Sequence, residues 1–498
     1  MKIEELIDDN QNVSRRIIDT VTESSEHLSR SIISFFEPNN FIIDETNLGL
    51  TSDIEDPFVI WKLFYDDCVR DRDNVIMNVC SISLGALVLI NSEDADIKLT
   101  EKQQQLINKS INSLILLVDE NGSWPSSWEM GRKTKNSGNI NQTTLSLSVL
   151  LRCGFFEYFY LSNKPLDSAT QKNRYSFLIR SLKWLLNNKV SVGEFTGWYY
   201  SRYSDDNKIA VMSTSYVFST FNKVSDLLHL HEETVNSIDN NIIEQIDKSI
   251  VEIENFFARK QNRDGGYSRS YSSSNKREST TIHTCFALNV LCKSELADNA
   301  VRIRKAVKYL QSQKTLISGL KISVDDLFDV FNYNETQYSI QSGNEIIVNR
   351  VEKHENYPYS NFIITFTDIL SYYNSHPSVL SKTEIHWIKH CIHNFWMQIK
   401  ENQIEDLNGY LVVKGFRIDQ GTQFPIYILY NVLLSSISIC RNPKNVLIGY
   451  NKKHLRYAAL ISLAFLFAIG LFLFTKELTY SLLMIAITFL YQLLRTKK

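Results

Sequence analysis

The sequence contains few of the residues that interrupt regular backbone structure. Only 17 glycines and 8 prolines occur among 498 residues, well below the usual frequencies of about 7% and 5%. A protein built from many short strands needs these residues in its tight turns, so their scarcity argues against an all-β sandwich and favours long helices. Hydrophobic residues make up 44% of the chain and charged residues 22%, which excludes a disordered protein.

The sequence also lacks a cysteine framework and a surplus of basic residues. Its seven cysteines are scattered, and none of them form a CxxC pair. Neither a disulfide scaffold nor a zinc ribbon is therefore expected, and the pattern is typical of a reducing compartment. The formal net charge at pH 7 is −2, which provides no basic footprint for a nucleic-acid partner.

Two uncharged apolar runs near the C-terminus predict a membrane anchor. They cover 457–475 and 478–494, with Lys476 and Glu477 between them. Each run approaches the roughly 20 residues that cross a hydrocarbon core of about 30 Å. Basic residues flank both runs, so the positive-inside rule predicts that both termini are cytoplasmic. We therefore expect a multi-pass membrane protein with a transmembrane helical hairpin over 443–498 and a lipid bilayer as partner; the alternative is a buried hairpin.

A helix-pair repeat occupies the first 442 residues. A charged amphipathic helix is followed by a loop with a small-plus-aromatic tip and then by a more apolar helix that opens with Ser or Thr. One unit cannot bury its apolar face alone, so neighbouring units are expected to stack. Six units, counting a degenerate first one, predict an all-α fold: an (α/α)6 toroid over 1–442, with the apolar second helices in an inner ring around a central cavity. The predicted outer and inner helices cover 3–36 and 74–90, 99–120 and 141–153, 168–188 and 212–224, 240–261 and 280–292, 298–313 and 360–373, and 382–403 and 421–435.

The loop tips resemble a known repeat. Gln261, Asp264, Gly265, Gly266 and Tyr267 follow the pattern Q-x-x-D-G-G-Y, and NGSWP at 121–125 is similar. In these tips the chain resembles the terpenoid cyclase and protein prenyltransferase superfamily, and the resemblance implies the toroid fold over about 95–440 and an isoprenoid or similar lipid as ligand. We expect the glycines to permit a positive φ past the helix end, and the aspartate to accept from N–H groups at the next helix start.

Basic and aromatic residues in and near these loops are the candidate ligand contacts. The loops gather at one mouth of such a toroid, and a cationic rim above an aromatic cavity suits an isoprenoid diphosphate. The stretch 265–279 resembles the prenyltransferase segment in which an Arg and a Lys grip the diphosphate, and Arg269 and Lys276 correspond to that pair. The alternative is a set of ordinary charged surface loops. The candidate substrate-binding residues are Arg132, Lys133, Arg269, Lys276, Arg277, Trp124, Trp198 and Tyr267.

The catalytic motifs of the family are incomplete in this chain. The D-x-D-D cluster of alkene-protonating cyclases is absent, and Thr280 and Ile282 stand about where prenyltransferases hold zinc with Asp and Cys. His283, at the start of an inner helix, is the candidate acid–base residue, with a packing histidine as the alternative. Two further sets have the spacing of metal ligands. Asp325, Asp326 and Asp329 could hold Mg²⁺ on a bound diphosphate, and His386, His390 and His393 could hold zinc or copper on one helix face. For both sets the alternative is a solvated surface.

Two functions stay open on these observations. The first is a membrane-anchored, terpenoid cyclase-like or prenyltransferase-like protein that holds an isoprenoid in its cavity and, if catalytic, cyclises or transfers it. The alternative is a non-catalytic toroid that senses a ligand or a protein trigger, while its transmembrane hairpin perturbs the membrane as an effector of bacterial immunity. The incomplete motifs leave open whether the chain is an enzyme.

Overall fold

A computed structural model describes most of the first 445 residues. The described residues are 3–37, 40–43, 58–61, 76–125, 127–129, 134–135, 138–159, 164–199, 208–272, 278–294, 296, 298–313, 337–342, 345–352, 356–401, 403–405, 411–413, 416–418, 421–423 and 426–445.

The described chain is mostly helical, which confirms the predicted all-α class. Two kinds of helix alternate along it. The outer helices are α1 (Ile3–Phe35), α3 (Glu101–Leu117), α5 (Ser168–Asn187), α8 (Ile242–Arg259), α10 (Asn299–Ser312) and α12 (Lys382–Glu401). The inner helices are α2 (Val79–Ile90), α4 (Ile140–Arg152), α6 (Val211–Leu230), α9 (Thr281–Leu291), α11 (Asn356–Ser375) and α13 (Ile426–Arg441), and the short α7 (Glu232–Asn236) follows α6.

The hydrophobic pattern of each helix explains its layer. In outer helix α8, Ile242, Ile246 and Ile253 recur on one face and are fully buried, while the charged residues occupy the other face. Inner helices α2 and α9 are buried on nearly every side. A helix with one apolar stripe covers a core, and a helix that is apolar all round lies within it.

The inner helices close into a ring. Contacts run from α2 to α4, α6, α9, α11 and α13 in turn, and α13 contacts α2 again. Each outer helix packs on at least one inner helix: α3 contacts α2 and α4, α5 contacts α4, α8 contacts α6 and α9, α10 contacts α9, α12 contacts α11, and α1 contacts α13. This closed order of contacts is that of an α/α toroid, because an open solenoid would leave its first and last units apart.

Short antiparallel ladders connect the helices. Five of them are two-stranded: β1 (Asn40–Ile43) with β2 (Phe58–Trp61), β6 (Tyr158–Phe159) with β7 (Lys164–Pro165), β8 (Val190–Val192) with β9 (Phe195–Gly197), β10 (Ile209–Ala210) with β11 (Ser270–Tyr271), and β14 (Gln403–Glu405) with β15 (Leu411–Val413). A three-stranded sheet has the order β3 (Ile76–Asn78), β4 (Ser127–Glu129) and β5 (Thr134–Lys135). A four-stranded sheet has the order β12 (Gln337–Ser342), β13 (Glu345–Glu352), β16 (Phe416–Ile418) and β17 (Gly421–Gln423).

The aromatic residue of the loop tip fastens the loop to its own helix pair in three successive units. Trp124, Trp198 and Tyr267 are at most 1% exposed. Each donates its side-chain N–H or O–H to a carbonyl near the end of the preceding outer helix, at Leu114 (2.8 Å), Leu185 (2.8 Å) and Phe257 (2.7 Å).

The backbone N–H of the same aromatic residue is bound by a threonine in the inner helix. In each unit the threonine is the fourth residue of its helix, and its Oγ1 accepts from Trp124 (Thr143, 3.1 Å), Trp198 (Thr214, 3.1 Å) and Tyr267 (Thr284, 3.0 Å). The repeat therefore encodes a bond between tip and inner helix as well as an apolar face.

We expect Thr284→Val to lower the free energy of unfolding by about 1–3 kcal/mol, because it leaves the buried N–H of Tyr267 without an acceptor. Thr284→Ser keeps the hydroxyl and should cost only about 1 kcal/mol for the lost methyl group. Urea denaturation of the full chain measures both variants. Equal losses for valine and serine would show that the hydrogen bond contributes nothing.

The Q-x-x-D-G-G-Y tip also binds the next helix pair. The Gln261 amide donates at 2.9 Å to the Arg302 carbonyl of α10 and at 2.9 Å to the Gly265 carbonyl. The prediction for the aspartate is wrong: Asp264 accepts from the Gly266 N–H (2.9 Å) and the Ser279 hydroxyl (2.7 Å) within its own loop, instead of from the next helix start. The motif is thus used for packing between units.

The predicted transmembrane runs at 457–475 and 478–494 lie outside the described residues. Among the residues that the structure describes, no helix combines the length and the hydropathy needed to cross a bilayer. The two most apolar inner helices, α2 and α9, have 12 and 11 residues, against about 20 for a span. On this finding the prediction of a two-span membrane protein with cytoplasmic termini is corrected.

Candidate functional site

The inner ring has two chemically different ends. The inner helices begin beside the tips and hairpins, an end that we call the mouth, and finish at turns toward the outer layer, an end that we call the floor. Helix N-termini carry positive and C-termini negative partial charge, so the mouth favours anions and the floor favours cations, by about 0.3–1 kcal/mol for each charge.

Two neighbouring inner helices begin at the mouth without the side-chain cap that α4 has. Asn139 caps α4, since its side-chain oxygen accepts from the N–H groups of Asn141 (2.9 Å) and Gln142 (3.2 Å). Helix α6 begins after Ala210 and α9 begins after Thr280, and neither residue accepts through its side chain from the first turn. Uncapped first-turn N–H groups attract acceptors, above all anions.

Two buried hydroxyl groups lie in these same first turns. Ser213 is the third residue of α6 and is 0% exposed, and Thr281 is the first residue of α9 and is 5% exposed. Within the described part of the chain, neither hydroxyl has a hydrogen-bond partner. An unpaired buried hydroxyl costs about 1–3 kcal/mol. Both hydroxyl groups are therefore candidate donors to a ligand at the starts of α6 and α9.

The ladder of β10 and β11 places Arg269 at the start of α6. Its carbonyl accepts from the N–H of Val211 at 3.1 Å. Burial, and next the positive charge of Arg269, lower the pKa of His283 in α9 to about 3, so the imidazole is neutral at physiological pH. Its Nδ1 lies 2.7 Å from Thr280 Oγ1. This contact engages the hydroxyl group that would otherwise cap α9.

An aromatic pair continues from the mouth along the same two helices. The ring of Tyr216 in α6, 36% exposed, packs edge-on against Phe286 of α9 with centroids 5.7 Å apart. The Phe286 ring also lies 6.3 Å from that of His283. Polar groups at the helix starts and aromatic rings one to two turns further on form a surface with one polar and one apolar part, as small-molecule sites commonly have.

The structure separates the predicted binding residues. Arg269 lies at the mouth, between the starts of α6 and α9. Trp124, Trp198 and Tyr267 are buried between helices, where they bond the backbone as described above. Four predicted residues lie outside the described part of the chain: Arg132, Lys133, Lys276 and Arg277.

The predicted metal ligands do not form a centre in the described residues. His386, His390 and His393 lie on α12, but the part of the chain that the structure describes contains no group of three or more metal-binding side chains in position to share an ion. His390 Nε2 lies 3.2 Å from the Asn394 amide. The acidic set Asp325, Asp326 and Asp329 lies outside the described residues, so a Mg²⁺ site there stays a prediction.

The floor carries a set of charged side chains around Asp94. Arg152, the last residue of α4, and Arg441, the last residue of α13, each donate to the Asp94 carboxylate at 2.5 Å. Lys293, after α9, pairs with Asp368 of α11 at 3.4 Å. The Asp94 pairs join the beginning and the end of the ring, and sequence analysis missed them because the three residues are far apart in the chain.

No family model and no curated protein matches this chain. Solved structures of low identity do match it. A sugar epimerase from a ruminal bacterium is 11% identical, with a TM-score of 0.49 over 85% of this chain and 99% of its own. The cellobiose 2-epimerase of Bacillus thermoamylovorans B4167 is 10% identical, with a TM-score of 0.48 over 83% and 100%. The unsaturated glucuronyl hydrolase of Bacillus sp. GL1 is 7% identical, with a TM-score of 0.46 over 85% and 97%.

These comparisons correct the predicted resemblance. The reported neighbours are sugar-processing proteins, and no terpenoid cyclase or prenyltransferase is among them, so the predicted family and the function as a membrane-anchored isoprenoid cyclase or transferase are wrong. The physical reason lies in Gln261, Gly265 and Tyr267. These residues join helix pairs, a task that recurs in any toroid of stacked pairs, so their pattern carries no information on chemistry.

The predicted partners are corrected with the family. Neither an isoprenoid diphosphate nor a lipid bilayer is supported as a partner. The alternative function, a sensor that acts through a transmembrane hairpin, is not better supported.

Proposed function

We propose that this protein binds a small oxyanion-bearing molecule at the mouth of its helical ring, between the starts of α6 and α9. The observation that carries the proposal is the pair of buried hydroxyl groups of Ser213 and Thr281, which have no hydrogen-bond partner in the described part of the chain and lie beside two helix starts without side-chain caps. Hydroxyl and backbone N–H groups are both donors, and an oxyanion accepts several such bonds at once.

Electrostatics supports the same class of ligand. Two helix N-termini and the guanidinium of Arg269 place three sources of positive potential in one region. Burial is the main cause of the depressed pKa of His283, and the charge of Arg269 is the second, so the positive charge of Arg269 acts in this region. Each helix terminus would stabilise a bound anion by about 0.3–1 kcal/mol.

The low pKa of His283 favours a role in ligand binding over a role in proton transfer. With a pKa of about 3 it is neutral near pH 7 and is too weak a base to remove a proton efficiently. A neutral imidazole held at Thr280 orients the ligand through a hydrogen bond, while Tyr216 and Phe286 contact the apolar part of the ligand.

The test removes each hydroxyl separately. Thr281→Val and Ser213→Ala should each weaken binding about tenfold or more, because a hydrogen bond to a charged group contributes about 1.5–3 kcal/mol. Calorimetric titration with inorganic phosphate and with acetate measures the binding, and glycerol serves as the uncharged comparison.

The same variants separate a ligand site from a structural role. Since neither hydroxyl has a hydrogen-bond partner among the described residues, its removal should leave the free energy of unfolding unchanged or raise it by up to about 1 kcal/mol. Thr284→Val, one turn further along α9, is the matched control and should lower stability without changing affinity. The proposal is wrong if neither anion binds, or if Thr281→Val and Ser213→Ala destabilise the protein and leave affinity intact.

A further inference from the structure

The threonines that bind the loop tips mark equivalent positions in three successive inner helices. Thr143, Thr214 and Thr284 each accept from the backbone N–H of a tip residue, at 3.1, 3.1 and 3.0 Å. The starts of α4, α6 and α9 therefore have equivalent levels and equivalent rotations about their axes. The residue before each threonine is equivalent as well. In α6 this residue is Ser213 of the proposed mouth site, and in α4 it is Gln142.

Residues at this position belong to the inward face of the ring. Outer helices cover the other side of each inner helix, so the solvent-accessible residues of an inner helix mark its inward face. In α4 they include Gln142, Leu145 and Ser148, and in α6 the face continues from Ser213 to the exposed Tyr216. Helices α4 and α6 contact each other, and axes of packed helices lie about 8–10 Å apart. Gln142 is thus the neighbour of Ser213 around the mouth.

The start of α4 offers hydrogen-bond acceptors, in contrast to the starts of α6 and α9. Its first N–H groups are already bonded to the Asn139 side chain. The side-chain amide oxygens of Asn141 and Gln142, which we call the amide pair, are buried and have no hydrogen-bond partner among the described residues. An amide oxygen only accepts, whereas the hydroxyl groups of Ser213 and Thr281 can donate. The mouth therefore has donors at α6 and α9 and acceptors at α4.

The amide of Gln142 is oriented by Cys80 at the start of α2. Burial raises the pKa of the Cys80 thiol to about 12, and a hydrogen bond from the Gln142 side chain opposes this rise. A hydrogen bond that favours the thiolate is one in which the partner donates. The N–H of Gln142 is therefore directed to the sulfur, and its oxygen is left for another donor. The thiol is neutral near pH 7 and adds no negative charge beside the amide pair.

We propose that the ligand of the mouth is a hydroxy acid, whose oxyanion binds at Ser213 and Thr281 and whose hydroxyl group donates to the amide pair. This inference rests on the oxyanion site proposed above and names the class of molecule that fits it. A plain oxyanion carries acceptors only, so it would leave the amide oxygens unpaired, which is unfavourable for buried groups. A ligand that also carries a donor satisfies both sides of the mouth.

The charges at the mouth favour a hydroxyl donor over an ammonium donor. The starts of α4, α6 and α9 carry positive partial charge, and the positive charge of Arg269 acts on His283 in the same region. These charges disfavour a cationic group on the ligand, and the neutral thiol of Cys80 does not compensate them. A hydroxyl group donates a hydrogen bond without this repulsion, so a hydroxy acid is preferred to an amino acid of the same length.

Calorimetric titration of the full chain with matched carboxylates tests the proposal. The probes are butanoate and hexanoate, which carry no donor, and the ω-hydroxy and ω-amino derivatives of both, titrated at about pH 7, where the amino groups are protonated. At least one hydroxy acid should bind about fivefold more tightly than its unsubstituted parent, the gain expected from about one net hydrogen bond. The amino derivative of that length should bind no more tightly than the parent.

Substitutions in the amide pair locate the hydroxyl group of the ligand. The double variant Asn141→Leu/Gln142→Met removes both amide oxygens with little change in volume and should abolish the preference for the hydroxy acid. Gln142→Glu adds a negative charge, so the amino derivative should then bind more tightly than the hydroxy derivative. Ser148→Ala is the matched control: Ser148 lies on the same face of α4, but its hydroxyl already donates to the Thr144 carbonyl at 2.9 Å. This variant should keep the preference.

The outcomes separate this inference from the oxyanion site on which it rests. If no carboxylate binds, or if Ser213→Ala and Thr281→Val leave carboxylate affinity unchanged, the oxyanion site is wrong and the hydroxy acid proposal is wrong with it. If the unsubstituted carboxylates bind there but neither hydroxy acid is preferred, or if the double variant keeps the preference, only the hydroxy acid proposal is overturned. Should the double variant fail to fold, the reversed preference expected for Gln142→Glu decides, and its absence overturns the proposal.

Discussion

Replacing Gly265 by alanine is expected to reduce the free energy of unfolding by about 3 kcal/mol. Gly265 has φ = +94°, a left-handed conformation that costs another residue about 1–2 kcal/mol. A Cβ atom at this position would also lie 2.4 Å from the Lys305 carbonyl oxygen of α10. Backbone of a neighbouring helix cannot swing aside as a side chain does, and such overpacking costs about 1–3 kcal/mol.

Gly193 provides the matched control for this substitution. It also has a positive φ, +63°, but a Cβ atom there would meet no atom within 4 Å. Gly193→Ala should therefore cost only the conformational strain, about 1 kcal/mol. Urea denaturation of both variants measures the difference. Equal losses at Gly193 and Gly265 would show that the close approach of the loop tip to α10 is not what requires glycine.

Asp94→Asn should have the second large effect, a loss of about 2 kcal/mol in the free energy of unfolding at pH 7. The variant weakens two charge-assisted hydrogen bonds, from Arg152 and Arg441, each worth about 1.5–3 kcal/mol when well formed. The estimate is reduced because solvent reaches both arginine side chains and screens their charges. The substitution weakens the closure of the ring, because these hydrogen bonds connect the turn after α2 to the ends of α4 and α13.

The pH dependence of this loss follows from the pKa of Asp94. Burial alone would raise this pKa, but the hydrogen bonds and charges of Arg152 and Arg441 outweigh burial and lower it. A carboxyl group with a depressed folded-state pKa stabilises the protein above its unfolded pKa of about 3.9, and the contribution is lost as the pH falls through the folded value. The difference between Asp94→Asn and the natural chain should therefore be constant from pH 6 to 7.5 and shrink below pH 4. Thermal unfolding measures it, and a difference that stays undiminished as the pH falls below 4 would contradict this assignment.

Much of the helical architecture follows from local patterns. The predicted outer helix at 99–120 and inner helix at 141–153 correspond to α3 and α4, and their ends differ by only a few residues. The stacking of pairs followed from apolar faces that one pair alone cannot bury. The prediction of a positive φ is confirmed for Gly265, because such a conformation just past a helix end is a local requirement, but it is wrong for Gly266.

The candidate sites were less accessible to sequence analysis. Arg269 and His283 were named, but as parts of a lipid site that the comparisons do not support. The sequence before α6 already indicates an uncapped helix start, because Ala210 occupies the position of a capping residue and has no side-chain acceptor. Sequence analysis did not use this observation. The sequence before α9 indicates the opposite, since Thr280 is a common capping residue. In the structure its hydroxyl lies 2.7 Å from His283 and does not cap the helix.

The sequence by itself determined the helix pairs, the two kinds of helix and the glycine-dependent tips, because periodicity and backbone conformation depend on residues within a few positions of one another. The tertiary structure alone decided that the ring closes, that Asp94 pairs with Arg152 and Arg441, and that Ser213 and Thr281 are buried without hydrogen-bond partners among the described residues. These properties depend on residues brought together from distant parts of the chain, and the burial and charge of a site depend on all of its neighbours at once.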